Sequence, residues 1–212
     1  MPPIPPLAAC PGSPVVETVA AGTRLWRIHE DRFDATQMNP RARPHVEAGG
    51  RFDSVDGSYA YLYLGDSPEA AIAETLCRSL FGTEADRIVP AITIRRRVLS
   101  ALVVVQNLTV TSAHGADLNQ LGQDLWLTKC NPADYLLTRA WAAAILSWTV
   151  PNDGLGYRCR NDEDRHAWVL MTDPGVSHHP NLAGTGEQLL LDTPEGRAIL
   201  RRTLVTDNAT LG

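Results

Sequence analysis

The chain has 212 residues, 44% of them hydrophobic and 20% charged, and a net charge of −5 from 24 acidic and 19 basic side chains. This length supplies one sizeable core but hardly two, so a single globular domain is expected. The bases are scattered instead of gathered into a stripe, which argues against direct nucleic-acid binding, and no stretch approaches the roughly 18 apolar residues of a membrane helix.

In chain order, "MPPIPPLAACPGSP" lacks a basic segment ahead of an apolar one, so it does not read as a secretory signal and a cytoplasmic protein is expected. Residues 1–22, rich in proline and small side chains, read as an extended or disordered arm. "TRLWRIH" then alternates as a strand, with Leu25, Arg27 and His29 on one face. The loop that follows ends in Gly49 and Gly50, which deliver Arg51 and Phe52 with little crowding. "SYAYLYLG" is the clearest strand, with Tyr59, Tyr61 and Tyr63 pointing one way and Ala60, Leu62 and Leu64 the other. Ser67 is an N-cap candidate ahead of Pro68. The helix so started is expected to stop at Gly82, with Glu74 near the edge of its apolar face.

Further on, "IVPAITI" and "ALVVV" suggest two more strands of the same sheet, and "DLNQLGQDLWL" a short helix. Arg95, Arg96 and Arg97 read as a solvated strand end. The strongest helix is "PADYLLTRAWAAAILSW", whose Leu137, Ala140, Trp141, Ala144, Ile145 and Trp148 recur at three- and four-residue steps. "LGYRCR" and "HAWVLM" look like two final strands joined by the charged turn "NDEDR". Residues 173–212 read as a loop-rich extension on the same domain, with a helix from Pro194 to about Leu204. This irregular order of elements indicates an α+β fold.

The common catalytic templates are missing: no G-x-S-x-G elbow, P-loop, H-E-x-x-H pair or dinucleotide fingerprint occurs. Cys10, Cys77, Cys130 and Cys159 form no C-x-x-C pair, and the adjacent His178 and His179 read as a polar loop, so no metal is expected. What remains is a set of arginines, tyrosines and one glutamate. That composition suits a phosphorylated ligand, because a guanidinium fork matches phosphate oxygens. Each member also has a plain structural alternative. Arg27 could pair with a neighbouring acid, Arg51 could cap the glycine turn, and Glu74 could pair with Arg78 four residues on. Tyr63 could pack a sheet face, and Cys159 could be a buried thiol instead of a nucleophile with a lowered pKa.

Taken in order, "LWRIH", "GGRFD", "AYLYLGDSPEAAIAETL", "LLTRAWAAAI" and "DGLGYRCRNDEDRHAWVLM" resemble the RES-domain family, from about Thr23 to Met171. The resemblance implies one RES domain over residues 23–172 with an ADP-ribosyltransferase-like fold, a split mixed β-sheet with helices around an NAD cleft. It implies a toxin that degrades NAD as an NAD glycohydrolase or phosphorylase, or else an ADP-ribosyltransferase acting on a protein target. NAD is then a substrate, no metal is called for, and the implied partner is an antitoxin with an Xre-like helix-turn-helix domain, a homodimer being left open. By motif, Arg27 and Arg51 fall on the family's arginines, Tyr63 on its strand tyrosine and Glu74 on its helix glutamate. The resemblance gives the arginines the pyrophosphate, Tyr63 the nicotinamide end, and Glu74 the positive charge that builds on the ribose. Cys159 stands where the family has a serine. A thiol donates a weaker hydrogen bond, so a catalytically weakened NAD-binding module is a further alternative.

Overall fold

The structure, a computed structural model, describes residues 4–46, 49–78, 80 and 87–212. The fold is α+β. Among the described residues eight strands form one mixed sheet, in the spatial order β1 (Val16–Val19), β6 (Leu108–Ser112), β7 (Gly154–Cys159), β8 (Asp162–Thr172), β3 (Ala60–Gly65), β2 (Arg24–Glu30), β5 (Arg97–Val104) and β9 (Leu182–Leu190). Only β6 and β7 run parallel. The helices are α1 (Pro68–Ile72), α2 (Trp126–Lys129), α3 (Tyr135–Trp148) and α4 (Pro194–Thr206). None of the helices described is long and apolar enough to cross a membrane.

The sheet is split. β2 pairs with β5 along its whole length, from Arg24 opposite Val103 to Glu30 opposite Arg97, but it meets β3 only where Trp26 faces Gly65. Past that pair the two strands diverge, and a cavity opens between them.

Alternation along β3 divides the interior. Tyr59 and Tyr61 pack with Phe52, Trp141, Ile145 and Tyr157, while Ala60, Leu62 and Leu64 join Leu25, Leu102 and Leu170 on the opposite face. A third apolar cluster sets Ile72 and Leu76 against Leu99 of β5 and Leu200 and Leu204 of α4.

Several elements differ from their sequence expectations, each for a physical reason. Part of the N-terminal arm is a strand, since β1 pairs antiparallel with β6. "IVPAITI" does not extend the sheet. Pro90 ends β4 (Ile88–Val89), which pairs with β10 (Thr210–Leu211) in a separate two-stranded sheet, and Ala91–Ile94 forms a 3₁₀ turn. "DLNQLGQDLWL" is broken by Gly122, at φ 68, into a 3₁₀ turn (Gly115–Leu121) and α2. "NDEDR" is no separate turn, because β8 already begins at Asp162. β6 and β9 had no counterpart in the sequence reading. β9 lies at a sheet edge and exposes most of "AGTGEQL", so it carries little apolar alternation to read. The Arg95–Arg97 run is the expected strand end, with Arg96 at the surface donating to Asp31 at 3.1 Å.

Candidate active site

Glu74 reaches the site because α1 begins and ends in a particular way. Ser67 caps it, its Oγ accepting from Ala70 N at 3.1 Å, and Pro68 takes the first helical position. After Ile72 the backbone continues as a π-helical turn, Ala73–Cys77, which carries Glu74. Such turns alter the register of a helix and recur at functional sites. The expected stop at Gly82 lies outside the described residues. Among the described residues Glu74 does not bond Arg78, four residues on. Its cation is Arg51 instead, with Nη2 2.7 Å from Glu74 Oε2 and the two side chains only 4% and 7% exposed.

Three donors converge on this carboxylate: Arg51 Nη2, the Tyr157 hydroxyl at 3.2 Å to the same oxygen, and Arg160 N–H at 2.7 Å to Oε1. Burial opposes the charge of Arg51, but Glu74 beside it and the neighbouring tyrosines outweigh burial and raise its pKa. The Arg51 guanidinium also lies 5.5 Å from the Tyr157 ring centroid. Burial, and then the charge of Glu74, push the Tyr157 hydroxyl well above its ordinary range, so it stays a donor.

The loop that presents Arg51 is built by glycine and held from three sides. Gly49 has φ +99, and a Cβ there would sit 2.3 Å from Asp53 Oδ2; a Cβ on Gly50 would sit 2.5 Å from the Tyr63 hydroxyl. Tyr63 donates to Asp53 Oδ1 at 2.7 Å and accepts from Phe52 N–H at 3.0 Å, while Tyr59 donates to the carbonyls of Phe52 and Asp53. From α3, Thr138 donates to the Arg51 carbonyl at 2.7 Å. Arg139, fully buried, donates to the carbonyls of Gly50, Arg43 and His45.

Arg27 lies on β2 across the split. Its Nη1 donates to the carbonyls of Ala35 and Gln37, each at 2.7 Å, so it clasps the loop after β2 through backbone oxygens instead of an acid. Burial lowers its pKa to about 10, partly offset by Asp34, and it remains a cation at neutral pH.

Arg27, Arg51, Tyr63 and Glu74 all line one cavity of about 670 Å³. That size suits a small ligand. Six arginines, Arg27, Arg41, Arg43, Arg51, Arg78 and Arg97, face three carboxylates, Glu30, Asp53 and Glu74, among its described lining residues. The wall therefore favours an anion. Cys159 is not brought to this lining. Its side chain is fully buried beneath the site, its Sγ 3.9 Å from the Ala70 carbonyl, and burial followed by Glu74 raises its thiol pKa. A thiol so placed is not an activated nucleophile. His178 and His179 lie in a loop, where Thr36 bonds His178 Nδ1 at 3.0 Å and His179 Nδ1 accepts from Asn181 N.

The sequence reading missed Asp53, Thr138, Arg139 and Tyr157. Tyr157 could have been found, because Leu155, Tyr157 and Cys159 alternate onto one face of β7 and all three join the same core.

In sequence, the model of the RES domain matches residues 24–192. No curated protein matches the chain. In structure, the chain is similar to a chain of the M. tuberculosis MbcT–MbcA toxin–antitoxin complex, with a TM-score of 0.62 and 18% identity over 87% of this chain and 92% of that one.

Proposed function

We propose, from the premise that this chain belongs to the RES-domain family, that it is a toxin that degrades NAD by cleaving the nicotinamide–ribose bond, through hydrolysis or phosphorolysis. The observation that carries the proposal is Glu74: a carboxylate held by three donors on the wall of an arginine-lined cavity. When the bond from ribose carbon to pyridinium nitrogen breaks, its electron pair leaves with neutral nicotinamide and positive charge builds on the ribose. A fixed carboxylate stabilises that charge without having to reorient. Water or a phosphate oxygen then adds to the same carbon, and in hydrolysis the water proton passes to solvent.

The remaining residues take supporting roles. Arg27, together with the other cavity arginines, holds the pyrophosphate, each charged hydrogen bond contributing about 1.5–3 kcal/mol. Arg51 is turned towards Glu74, so its first role is to fix the carboxylate. Tyr63 presents its ring to the cavity, while its hydroxyl fixes the Arg51 loop through Asp53 and Phe52. Cys159 packs under the site and acts on it through the β7 backbone that delivers Arg160 N–H. The similarity to a chain of the MbcT–MbcA complex supports an antitoxin as partner, Xre-like by the family resemblance.

Incubating the protein with NAD, with and without inorganic phosphate, and separating the products tests the reading. Free nicotinamide with ADP-ribose or its phosphorylated form is expected. Glu74→Gln should still bind NAD while turnover falls by about 10²–10³-fold. Unchanged turnover in that variant would remove Glu74 from the mechanism, and intact NAD throughout would leave transfer to a protein acceptor as the reading to pursue.

A further inference from the structure

Away from the cavity, three side chains with ligating atoms meet where the N-terminal arm joins the sheet. Glu17 on β1, His114 after β6 and Asp117 in the following 3₁₀ turn place one ligand atom each within 4.8 Å of one another. None of the three lines the cavity. His114 Nε2 lies 2.8 Å from Glu17 Oε1, and Ser112 Oγ donates to Asp117 Oδ2 at 2.7 Å, which orients that carboxylate. An ion pair alone would explain the first contact but leaves the surroundings unexplained.

Two buried nitrogens beside the cluster lack hydrogen-bond partners among the described residues, His166 Nε2 and Trp168 Nε1. Trp168 is only 8% exposed. A Cβ built on Gly156 would fall 3.2 Å from Trp168 Nε1 and 3.3 Å from Glu17 Oε2, so the indole N–H and the free oxygen of Glu17 border the same small space. The His166 ring lies 4.7 Å from that of His114. Buried polar atoms are seldom left without partners. A bound cation carrying water would give the indole N–H an acceptor and the His166 nitrogen a hydrogen-bond partner.

We infer that Glu17, His114 and Asp117 form a divalent transition-metal site of the zinc class, with a water in the fourth position. One imidazole and two carboxylates match zinc better than calcium or magnesium, which favour all-oxygen shells. Tetrahedral ligands about 2.0 Å from zinc stand about 3.3 Å apart, so the Glu17–His114 pair opens slightly to admit the ion. Ser112 is the orienting partner behind Asp117. The ion would clip the edge strand β1 to the turn after β6, and its effect falls on the stability of the N-terminal arm, not on the chemistry in the cavity.

The full chain, free of any affinity tag and stripped with chelator, would be titrated with Zn²⁺ by calorimetry and followed by thermal melting. One ion per chain and a rise in melting temperature with Zn²⁺ are expected. Ser112→Ala should weaken Zn²⁺ binding about 10- to 100-fold, and His114→Ala should abolish both the heat and the shift, its own melting curve reporting that it folds. His178→Ala, in the other histidine-bearing loop, should bind as the parent does. No heat with the parent protein, binding that survives in folded His114→Ala, or binding lost in His178→Ala would each overturn the site.

Discussion

Arg51 and Glu74 show how a buried charge pair can be structural and functional at once. With both side chains almost wholly enclosed, neither can lose its partner without leaving a charge in a poorly solvated place. Removing one member of such a pair typically costs about 3–5 kcal/mol. Arg51→Ala should therefore lower the urea-unfolding free energy by that amount, and Arg51→Ala combined with Glu74→Gln should lower it by less, because the neutral amide no longer needs a cation. Equal losses in the single and double variants would mean that Arg51 acts through its contacts with the Tyr157 and Phe52 rings. Sequence made both residues visible but not their pairing. Arg78 stands four residues from Glu74 and Arg51 stands 23 away, and only the tertiary fold, which brings the glycine loop against the turn that carries Glu74, makes the distant partner the real one.

Among the elements, α3 carries the clearest difference between what a hydrophobic pattern reveals and what a fold uses. The apolar reading selects Leu137, Ala140, Trp141, Ala144, Ile145 and Trp148, of which Trp141 and Ile145 are buried, yet the buried positions also include Thr138 and Arg139. A periodicity count scores these two as polar, so it finds the Trp141 and Ile145 part of the buried face and leaves out the part that Thr138 and Arg139 add. Their polarity is spent inward, on the carbonyls of the loop that presents Arg51. Arg139→Ala should leave each of three carbonyls short of a donor, at about 1–3 kcal/mol apiece. Hydrogen exchange should then speed up in the described residues from Arg43 to Asp53 well before α4 responds. Uniform acceleration over the whole chain would instead make Arg139 a general core residue. β3 and α1 were legible in outline because alternation and capping are local signals. β9 was not, since an exposed edge strand is defined by its neighbour β5 more than by its own residues.

At the scale of the whole molecule, the split between β2 and β3 divides the sheet into a half that holds Glu74's supports and a half that holds Arg27. The second half also carries two deeply buried histidines. His29 on β2 donates from Nδ1 to the Glu30 carbonyl, which fixes the tautomer so that Nε2 accepts from Ser100 Oγ of β5 at 2.7 Å. His179, just before β9, is tied by its backbone N–H to the Thr36 carbonyl after β2. Burial lowers the pKa of both below the ordinary 6.5. Folding therefore keeps them neutral at a pH where the unfolded chain would protonate them, and the unfolded state binds the extra protons. Stability is complete above about pH 6.5 and falls as the pH drops below it, by up to about 1.4 kcal/mol per pH unit for each histidine until the folded-state pKa is reached. Asp34 and Asp56, whose pKa values are lowered by hydrogen bonds from Thr36 and Ser58, act in a separate window at and below the usual 3.8. Urea unfolding measured from pH 7 down to about 5 should show this decline, and His29→Gln should flatten it in part, since an amide can still accept from Ser100 but takes up no proton. A stability that stays level over that range would place the acid response in the carboxylates alone and separate the β2 half from any sensitivity of the cavity to mild acid.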